Sequence, residues 1–190
     1  MKTNTSSTRD KILTSAEKLI YEEGIHATSM ALLVENSGVA RKSIYHHFAD
    51  KDAIAAAVLN TRDVRWMAWF IGETEKNEHP RGRIIEMFSV LTEWFKSPGF
   101  RGCAFINTAG EIGNPADPIR EIARIHKQKL KDYVLLLCEQ AQCSQPSILA
   151  NQLLILIDGA ITVAKVMGDS EASENAKVIA ISLLDQACPE

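Results

Sequence analysis

The stretch Thr28–Lys51, TSMALLVENSGVARKSIYHHFADK, predicts two short helices joined by a tight turn. Thr28 and Ser29 are good residues for a helix start, because a side-chain oxygen can accept a hydrogen bond from an amide of the first turn. Gly38 interrupts the apolar periodicity of the first helix, and glycine lets a helix end in a left-handed conformation at little cost. The pattern therefore indicates a helix-turn-helix unit.

The second of these helices has two chemically different sides. Ile44 and Phe48 stand four residues apart and predict a buried stripe. Two cations on a helix are, taken alone, more often a solvated surface, but a cationic helix that follows such a turn suits the major groove of DNA. The residues expected to reach base edges are Arg41, Lys42 and Ser43.

The rest of the chain also has helical periodicity, with no strand pattern, internal repeat or low-complexity segment. Ser7 and Asp10 fit a capping box at the start of the first helix. A long fourth helix is expected from about Asp52 to Gly72, and it would connect the N-terminal helices to an aromatic region. The remaining helices are expected at Ile84–Phe95, Cys103–Ile112, Asp117–Leu137, Ile148–Met167 and Ser173–Ala187.

The last two predicted helices carry more apolar surface than one chain can cover. The helix at Ile148–Met167 is apolar almost all round and is expected to be covered on more than one side. Packing both helices against the same pair from a second copy would give a four-helix interface. We therefore expect a homodimer formed through the two C-terminal helices.

Composition and charge are those of an ordinary soluble globular protein. Hydrophobic residues make up 46% and charged residues 24% of the 190 residues, and the formal net charge of -3 does not by itself indicate a polyanionic partner. The N-terminus is polar and has no signal-peptide pattern. The run Ile148–Met167 contains Asn151, Asp158 and Lys165, so we expect a buried helix and no membrane span.

The four cysteines have no CxxC spacing, which argues against a zinc module and against a disulfide framework. We therefore expect four free thiols in a reducing cytoplasm. No histidine pair has the spacing of metal ligands, and no nucleotide-binding glycine motif occurs. The sequence thus predicts no metal, no cofactor and no catalytic activity.

The run from Arg9 to Ile54 resembles the TetR (tetracycline-repressor-like) family of transcriptional regulators. The features that match are, in order, IL..AEKLIYEEG and T..M..L...SGVARKSIYHHFADKDAI. The segment FRGCAFINTAGEI, Phe100–Ile112, is similar to a stretch found in one broad subgroup of that family. The resemblance implies an all-α fold of about nine helices, with a three-helix head at residues 1–52. A larger ligand-binding and dimerisation domain would occupy residues 53–190.

The resemblance also implies a function and a set of DNA contacts. A protein of this family is expected to bind a palindromic DNA operator as a homodimer, to repress transcription and to be released by a small-molecule effector. Phosphate contacts fix the register of a protein on DNA without reading its sequence. The residues expected at or beside the phosphates are Thr28, Ser29, Tyr45, His46 and Lys51.

An effector site is expected in the second domain, because members of the family commonly bind a small molecule between these helices. Aromatic residues at helical spacing are more often core than pocket, and a buried histidine or aspartate is at least as often satisfied internally. With those alternatives open, the predicted ligand contacts are Trp66, Trp69, Phe70, Trp94, Cys103, Asn107, Glu111, His126, Tyr133 and Asp158.

Two other functions are weighed against a ligand-responsive repressor. Cys103 is expected at a helix start near Arg101, where the helix dipole and the guanidinium would favour the thiolate of a sensor for electrophiles or oxidants. A buried, unreactive cysteine is the commoner case. An all-helical enzyme or ligand carrier is the other alternative, and salt-dependent binding to one specific duplex would argue against it.

Overall fold

A computed structural model describes residues 7–188, and these residues form nine α-helices and no strand. The predicted all-α class is confirmed. The helices are α1 Thr8–Glu23, α2 Met30–Ser37, α3 Arg41–His47, α4 Lys51–Thr74, α5 Pro80–Lys96, α6 Ala104–Glu111, α7 Pro118–Gln140, α8 Pro146–Met167 and α9 Ala172–Ala187.

The helices form two compact units whose limits differ from a division at residue 52. The first unit comprises the chain up to Val64 together with Ala104–Arg124. The second comprises Arg65–Cys103 and the chain from Ile125 onward. The first part of α4 joins the head because Ile54, Val58 and Leu59 are buried. The grouping of α6 with the head has no counterpart in local sequence.

The two predicted helix caps, at α1 and α2, are confirmed by their hydrogen bonds, and a further cap is found at α4. Ser7 and Asp10 form the full capping box of α1, with two bonds of 3.1 Å. Ser29 Oγ accepts the Leu32 amide at 3.2 Å and begins α2, which ends at Gly38 in the left-handed region with φ 63°. Asp50 accepts the Ala53 amide at 2.7 Å at the start of α4.

In the second unit, α8 and α9 pack against each other and both pack against α5. The helices are joined by buried polar contacts as well as apolar ones. Ser173, fully buried on α9, donates its hydroxyl to the Phe88 carbonyl at 2.8 Å. Lys177 donates to the Ser89 hydroxyl at 2.9 Å. Each bond joins one side chain of α9 to one polar group of α5. A shift of α9 along α5 would leave these buried or half-buried groups without their partners, so the bonds fix the register of the two helices.

The outer face of α8 is exposed within one chain, so the cover that the sequence predicts on more than one side is not supplied by the single chain. Ile155, Val166 and Met167 are 70%, 76% and 75% exposed. The helix is long and apolar enough to cross a membrane, with a mean hydropathy of 1.7 in its most apolar window. That criterion is weak evidence, because core helices of soluble proteins also satisfy it.

Two of the four cysteines are bonded, which corrects the expectation of four free thiols. Cys143, in the turn after α7, forms a disulfide with Cys188 at the end of α9. Cys103 and Cys138 are free and buried. The pair lies 45 residues apart in sequence. No local spacing signals it, because the tertiary packing of α9 brings the two together.

Candidate DNA-binding surface and effector site

The helix α3 presents a cationic and aromatic face over a buried stripe. Ile44 is fully buried and Phe48 is 7% exposed, as the periodicity predicts. Arg41 and Lys42 are exposed, and Tyr45 is 45% exposed. The Arg41 guanidinium carbon lies 5.9 Å from the centroid of the Tyr45 ring. This contact holds the cation near the ring and leaves its donors available to a ligand.

Other side chains extend this face along α3. Ser43 is half-buried, and His46 is exposed. His47 is exposed too, with its ring 5.5 Å from that of His46. Ile44 and Phe48 close the core at this point without it. The exposed surface is therefore wider than the sequence indicates.

Thr28 and Lys51, both predicted phosphate contacts, already have partners within the protein. Thr28 is 1% exposed, and its hydroxyl donates to the Gly24 carbonyl at 2.7 Å. Its single hydroxyl hydrogen can reach a phosphate only if that bond breaks. The Lys51 ammonium donates to the Ile25 carbonyl at 2.9 Å. An ammonium has three donors, so Lys51 can hold this carbonyl and a phosphate together.

The turn between α1 and α2 is held by a carboxylate from α6. Glu111 accepts the Ile25 amide at 3.2 Å through Oε1 and the His26 amide at 2.9 Å through Oε2. The His26 ring Nε2 lies 3.1 Å from the Glu111 carbonyl oxygen. The Glu111 carboxylate was predicted to contact a ligand. The structure gives it a different partner, the backbone of the head.

Gly24 makes room for this carboxylate. A Cβ atom at residue 24 would lie 2.7 Å from Glu111 Oε1, and the backbone here has φ 95°. Any other residue would therefore be strained and would displace the carboxylate. The glycine that ends α1 thus serves the contact with α6 as well as the turn.

Six of the predicted ligand contacts form one aromatic cluster in the second unit. Trp66 is at its centre. Its ring is stacked on that of Phe70, with the ring centroids 4.8 Å apart, and its centroid lies 5.3 Å from that of the His126 ring. His126 is 2% exposed and Phe70 is fully buried. The members are Trp66, Trp69, Phe70, Trp94, His126 and Tyr133.

Two polar groups in the cluster have no hydrogen-bond partner among the described residues. They are the Trp66 indole Nε1 and the Tyr133 hydroxyl, both buried. Burial raises the pKa of Tyr133 to about 12, and the nearby Glu75 carboxylate acts in the same direction. The Thr74 hydroxyl lies near enough to Tyr133 to oppose the shift, but it donates its single hydrogen to the Phe70 carbonyl at 2.7 Å and so does not donate to Tyr133. Buried donors without acceptors are uncommon in native proteins.

Two further predicted contacts, Cys103 and Asp158, meet at a lysine that sequence reasoning did not select. Lys127 donates to Asp158 Oδ1 at 2.6 Å and also hydrogen-bonds Cys103. Burial alone would lower the pKa of Lys127. The electrostatic interactions and hydrogen bonds of Lys127 with Cys103 and Asp158 outweigh burial and raise that pKa. The side chains of Lys127 and Asp158 are 21% and 31% exposed.

The last predicted contact, Asn107, lies half-buried on α6 and so belongs with Glu111 to the first unit. A cavity of about 350 Å³ in the second unit has a different lining. It includes Phe95, Phe100, Arg101 and Lys165. Sequence reasoning did not select this cavity, because Arg101 and Lys165 come from distant segments without a shared motif.

Comparison with known proteins assigns the fold to a family. Residues 12–58 match the model of bacterial regulatory proteins of the tetR family, and residues 80–179 match the tetracyclin repressor-like C-terminal domain. The chain belongs to the TetR family. It is therefore a DNA-binding transcriptional regulator with a helix-turn-helix.

Individual relatives agree with this assignment across most of the chain. A TetR-family transcriptional regulator from Streptomyces coelicolor has a crystal structure with a TM-score of 0.87 and 27% identity, covering 94% of this chain and 95% of that one. The Escherichia coli regulator YjdC is 23% identical over 158 residues, 81% of each chain. The Escherichia coli repressor ComR is 29% identical over 119 residues, 56% of this chain and 55% of its own.

Substitution of Glu111 by glutamine tests the contact between α6 and the head of this TetR-family protein. The glutamine amide can accept one of the two backbone hydrogen bonds and places a donor against the other amide. We expect Glu111→Gln to lower the free energy of unfolding by about 1–3 kcal/mol. Hydrogen–deuterium exchange at Ile25 and His26 should accelerate. Glu22→Gln, at an exposed position on α1, is the matched control, and unchanged exchange at both amides in Glu111→Gln would contradict the assignment.

Proposed function

We propose that this protein is a ligand-responsive repressor that binds a palindromic DNA operator as a homodimer. The observation that carries the proposal is the exposed cationic face of α3, which stands on a buried stripe in a helix-turn-helix. A helix in this position enters the major groove, where each base pair presents a distinct pattern of donors and acceptors.

The exposed side chains of α3 divide into two kinds of DNA contact. Arg41 and Lys42 stand in its first turn, and cations there pair with guanine O6 and N7. Ser43 is a smaller donor and acceptor beside them. Tyr45 and His46, later on the helix, are proposed to bind phosphates. Lys51 supports a phosphate contact as well, because its ammonium is held near the head by the Ile25 carbonyl.

The exposed apolar face of α8 and α9 supports a homodimer. An uncovered set of large aliphatic side chains on one monomer marks an interaction surface. The same helix pair from a second copy matches it in length and chemistry and makes a two-fold symmetric interface. Two heads would then meet half-sites about 34–36 Å apart on one side of the duplex. The residues of this face include Ile148, Ile155, Val163, Val166, Met167, Val178 and Ile179.

The aromatic cluster is the proposed effector site. The Trp66 indole and the Tyr133 hydroxyl are buried donors that a ligand with acceptor groups would satisfy. Trp66, Trp69 and Phe70 are on α4, which continues without a break to Lys51 in the head. A ligand that favours one position of α4 would thereby change the operator affinity. The change is limited by its differential affinity for the two states, and a switch from 1:99 to 99:1 needs roughly 5.5 kcal/mol.

Two parts of the proposal rest on relatives: that the protein represses transcription, and that it is a soluble protein of the cytoplasm. ComR is named a transcriptional repressor, and it shares 29% identity with this chain over 119 residues. Regulators of this family are in general soluble and cytoplasmic. Each is proposed for this chain on that basis. For target DNA, an inverted repeat upstream of the protein's own gene is the first duplex to test in a shift assay.

A thiol-sensing repressor is the second candidate, and the contact between Cys103 and Lys127 favours it. Cys103 directly precedes α6 and is 6% exposed. A cysteine beside a lysine ammonium is an arrangement found at reactive cysteines, and Lys127 stands in that position to Cys103. Addition of the thiolate to an electrophilic alkene forms a carbon–sulfur bond at one carbon, and the other carbon takes a proton from water. The adduct would enlarge a buried side chain at the start of α6.

Substitutions in α3 should separate base reading from phosphate binding. Arg41→Ala or Lys42→Ala is expected to weaken operator binding by about 1–3 kcal/mol, roughly 5- to 150-fold, and to leave a scrambled duplex little affected. Lys51→Ala should weaken both duplexes and reduce the dependence of affinity on salt. Fluorescence anisotropy over a range of salt concentrations measures both.

Lys76→Ala is the control for these variants, since Lys76 is a 68% exposed lysine in the second unit. Circular dichroism of Lys51→Ala checks that loss of the bond to Ile25 leaves the head folded. If operator affinity is unchanged in both Arg41→Ala and Lys42→Ala, these two residues do not read bases. If the wild type binds no duplex in a salt-dependent way, an enzyme or ligand carrier becomes the better reading.

A charge on the apolar face should dissociate the dimer. Val178 on α9 is 64% exposed, and Val178→Asp would bury a carboxylate in the proposed interface. We expect light scattering to show a dimer for the wild type and a monomer for Val178→Asp at micromolar concentration. Val64→Asp, at a valine on α4 that is 68% exposed, should stay dimeric. A wild-type monomer, or an intact Val178→Asp dimer, would argue against this interface.

Alkylation kinetics distinguish the thiol sensor from a buried core cysteine. N-Ethylmaleimide should modify Cys103 much faster than Cys138, whose burial raises its thiol pKa to about 12. Lys127→Met should slow the reaction at Cys103, whereas Lys131→Met, four residues along α7, should not. Modification should also release operator DNA. Equal rates at the two cysteines, or full DNA binding by the adduct, would remove the sensing hypothesis.

A further inference from the structure

We propose that Cys143 and Cys188 form a reversible disulfide that fastens the C-terminal end of α9 to the turn between α7 and α8 under oxidising conditions. Both cysteines lie in the second unit and are 7% and 8% exposed. Neither belongs to the DNA-binding face or to the aromatic cluster. The proposed disulfide therefore does not depend on the proposals for operator binding and for the effector site.

The two segments are held together by a second contact that does not depend on the sulfur atoms. The Ser144 amide donates to the Ala187 carbonyl at 2.6 Å. The thiols therefore stay neighbours when the disulfide is reduced, and the disulfide can form again without a large rearrangement of the chain. The Cys143 sulfur also lies 3.9 Å from the Ala141 carbonyl oxygen, which gives the reduced thiol an acceptor.

The turn that carries Cys143 adopts an uncommon backbone conformation. Gln142 and Gln145 have φ 54° and 51°, in the left-handed region that non-glycine residues rarely occupy. Such residues persist where surrounding contacts fix them. The disulfide and the hydrogen bond of Ser144 both tie this turn to α9. Breaking the disulfide removes one of these constraints.

The family of the chain favours a bond that opens and closes. TetR-family regulators are in general cytoplasmic, and disulfides of that compartment are usually transient and redox-linked. The oxidant can be a small-molecule disulfide such as oxidised glutathione. One cysteine thiolate attacks a glutathione sulfur and releases one glutathione thiolate. The other cysteine thiolate then attacks the cysteine sulfur of this mixed disulfide and releases the second glutathione thiolate. Two protein thiols are thus oxidised, and one glutathione disulfide is reduced to two thiols.

The test equilibrates the full chain in glutathione buffers, from mostly oxidised to millimolar reduced, and traps free thiols by alkylation in acid. Cleavage after Glu139 separates Cys138 from Cys143, so mass spectrometry can assign the bonded pair. We expect the Cys143–Cys188 peptide in oxidised buffer and its loss in reduced buffer. Cys138, which is fully buried, should remain a thiol throughout.

Thermal unfolding gives the structural consequence. Reduction should lower the Tm of the wild type by roughly 5–15 °C, since the bond closes a long loop. Cys143→Ser and Cys188→Ser should match the reduced wild type and no longer respond to reductant, whereas Cys138→Ser should keep the response. Because the reduced wild type is measured alongside, a variant that fails to fold leaves the test intact. The proposal is overturned if the bond survives millimolar reduced glutathione, if oxidised glutathione never forms it, or if reduction leaves the Tm unchanged.

Discussion

The fixed position of the turn between α1 and α2 is the constraint on which the DNA-binding head depends. The peptide groups of Ile25 are held from two sides, its amide by Glu111 and its carbonyl by Lys51. Ile25 itself is 2% exposed. Because the turn sets where α2 begins, and α2 leads through Gly38 to α3, a small displacement here would also displace α3.

This arrangement explains why α6 belongs with the head. Helices of one domain normally bury apolar faces against each other, but α6 also contributes a charged group to the backbone of a turn. A carboxylate that accepts two amide hydrogen bonds is directional, and it holds the turn in one orientation. Gly24 completes the arrangement by leaving space where any side chain would meet the carboxylate. The contact therefore connects a helix far along the sequence to the start of the helix-turn-helix.

Features that depend on residues close together in the chain, such as helix caps and buried stripes, can be predicted from the sequence. Ser7 and Ser29 cap helices where expected, since a cap depends on residues three positions away. The stripe of Ile44 and Phe48 follows from the helical period. Glu111, in contrast, was placed with the ligand contacts, because an acid on an apolar helix has the same local pattern whether it meets a ligand or a backbone amide. Lys127, similarly, was not selected, because nothing in its local sequence distinguishes it from a solvated lysine on a helix.

The disulfide and the exposed face of α8 were also not predictable from local sequence, because both depend on how distant segments pack in the folded chain. A disulfide depends on the distance between two cysteines in the folded chain, and Cys143 reaches Cys188 only after α9 has packed on α5 and α8. The apolar content of α8 is evident from sequence, but which of its faces meets α9 is a property of the packed pair. Ile157 is fully buried, whereas Ile155, two residues earlier, is 70% exposed. Two identical side chains thus have opposite environments, so the apolar surface that α8 leaves exposed is defined by the fold and not by composition.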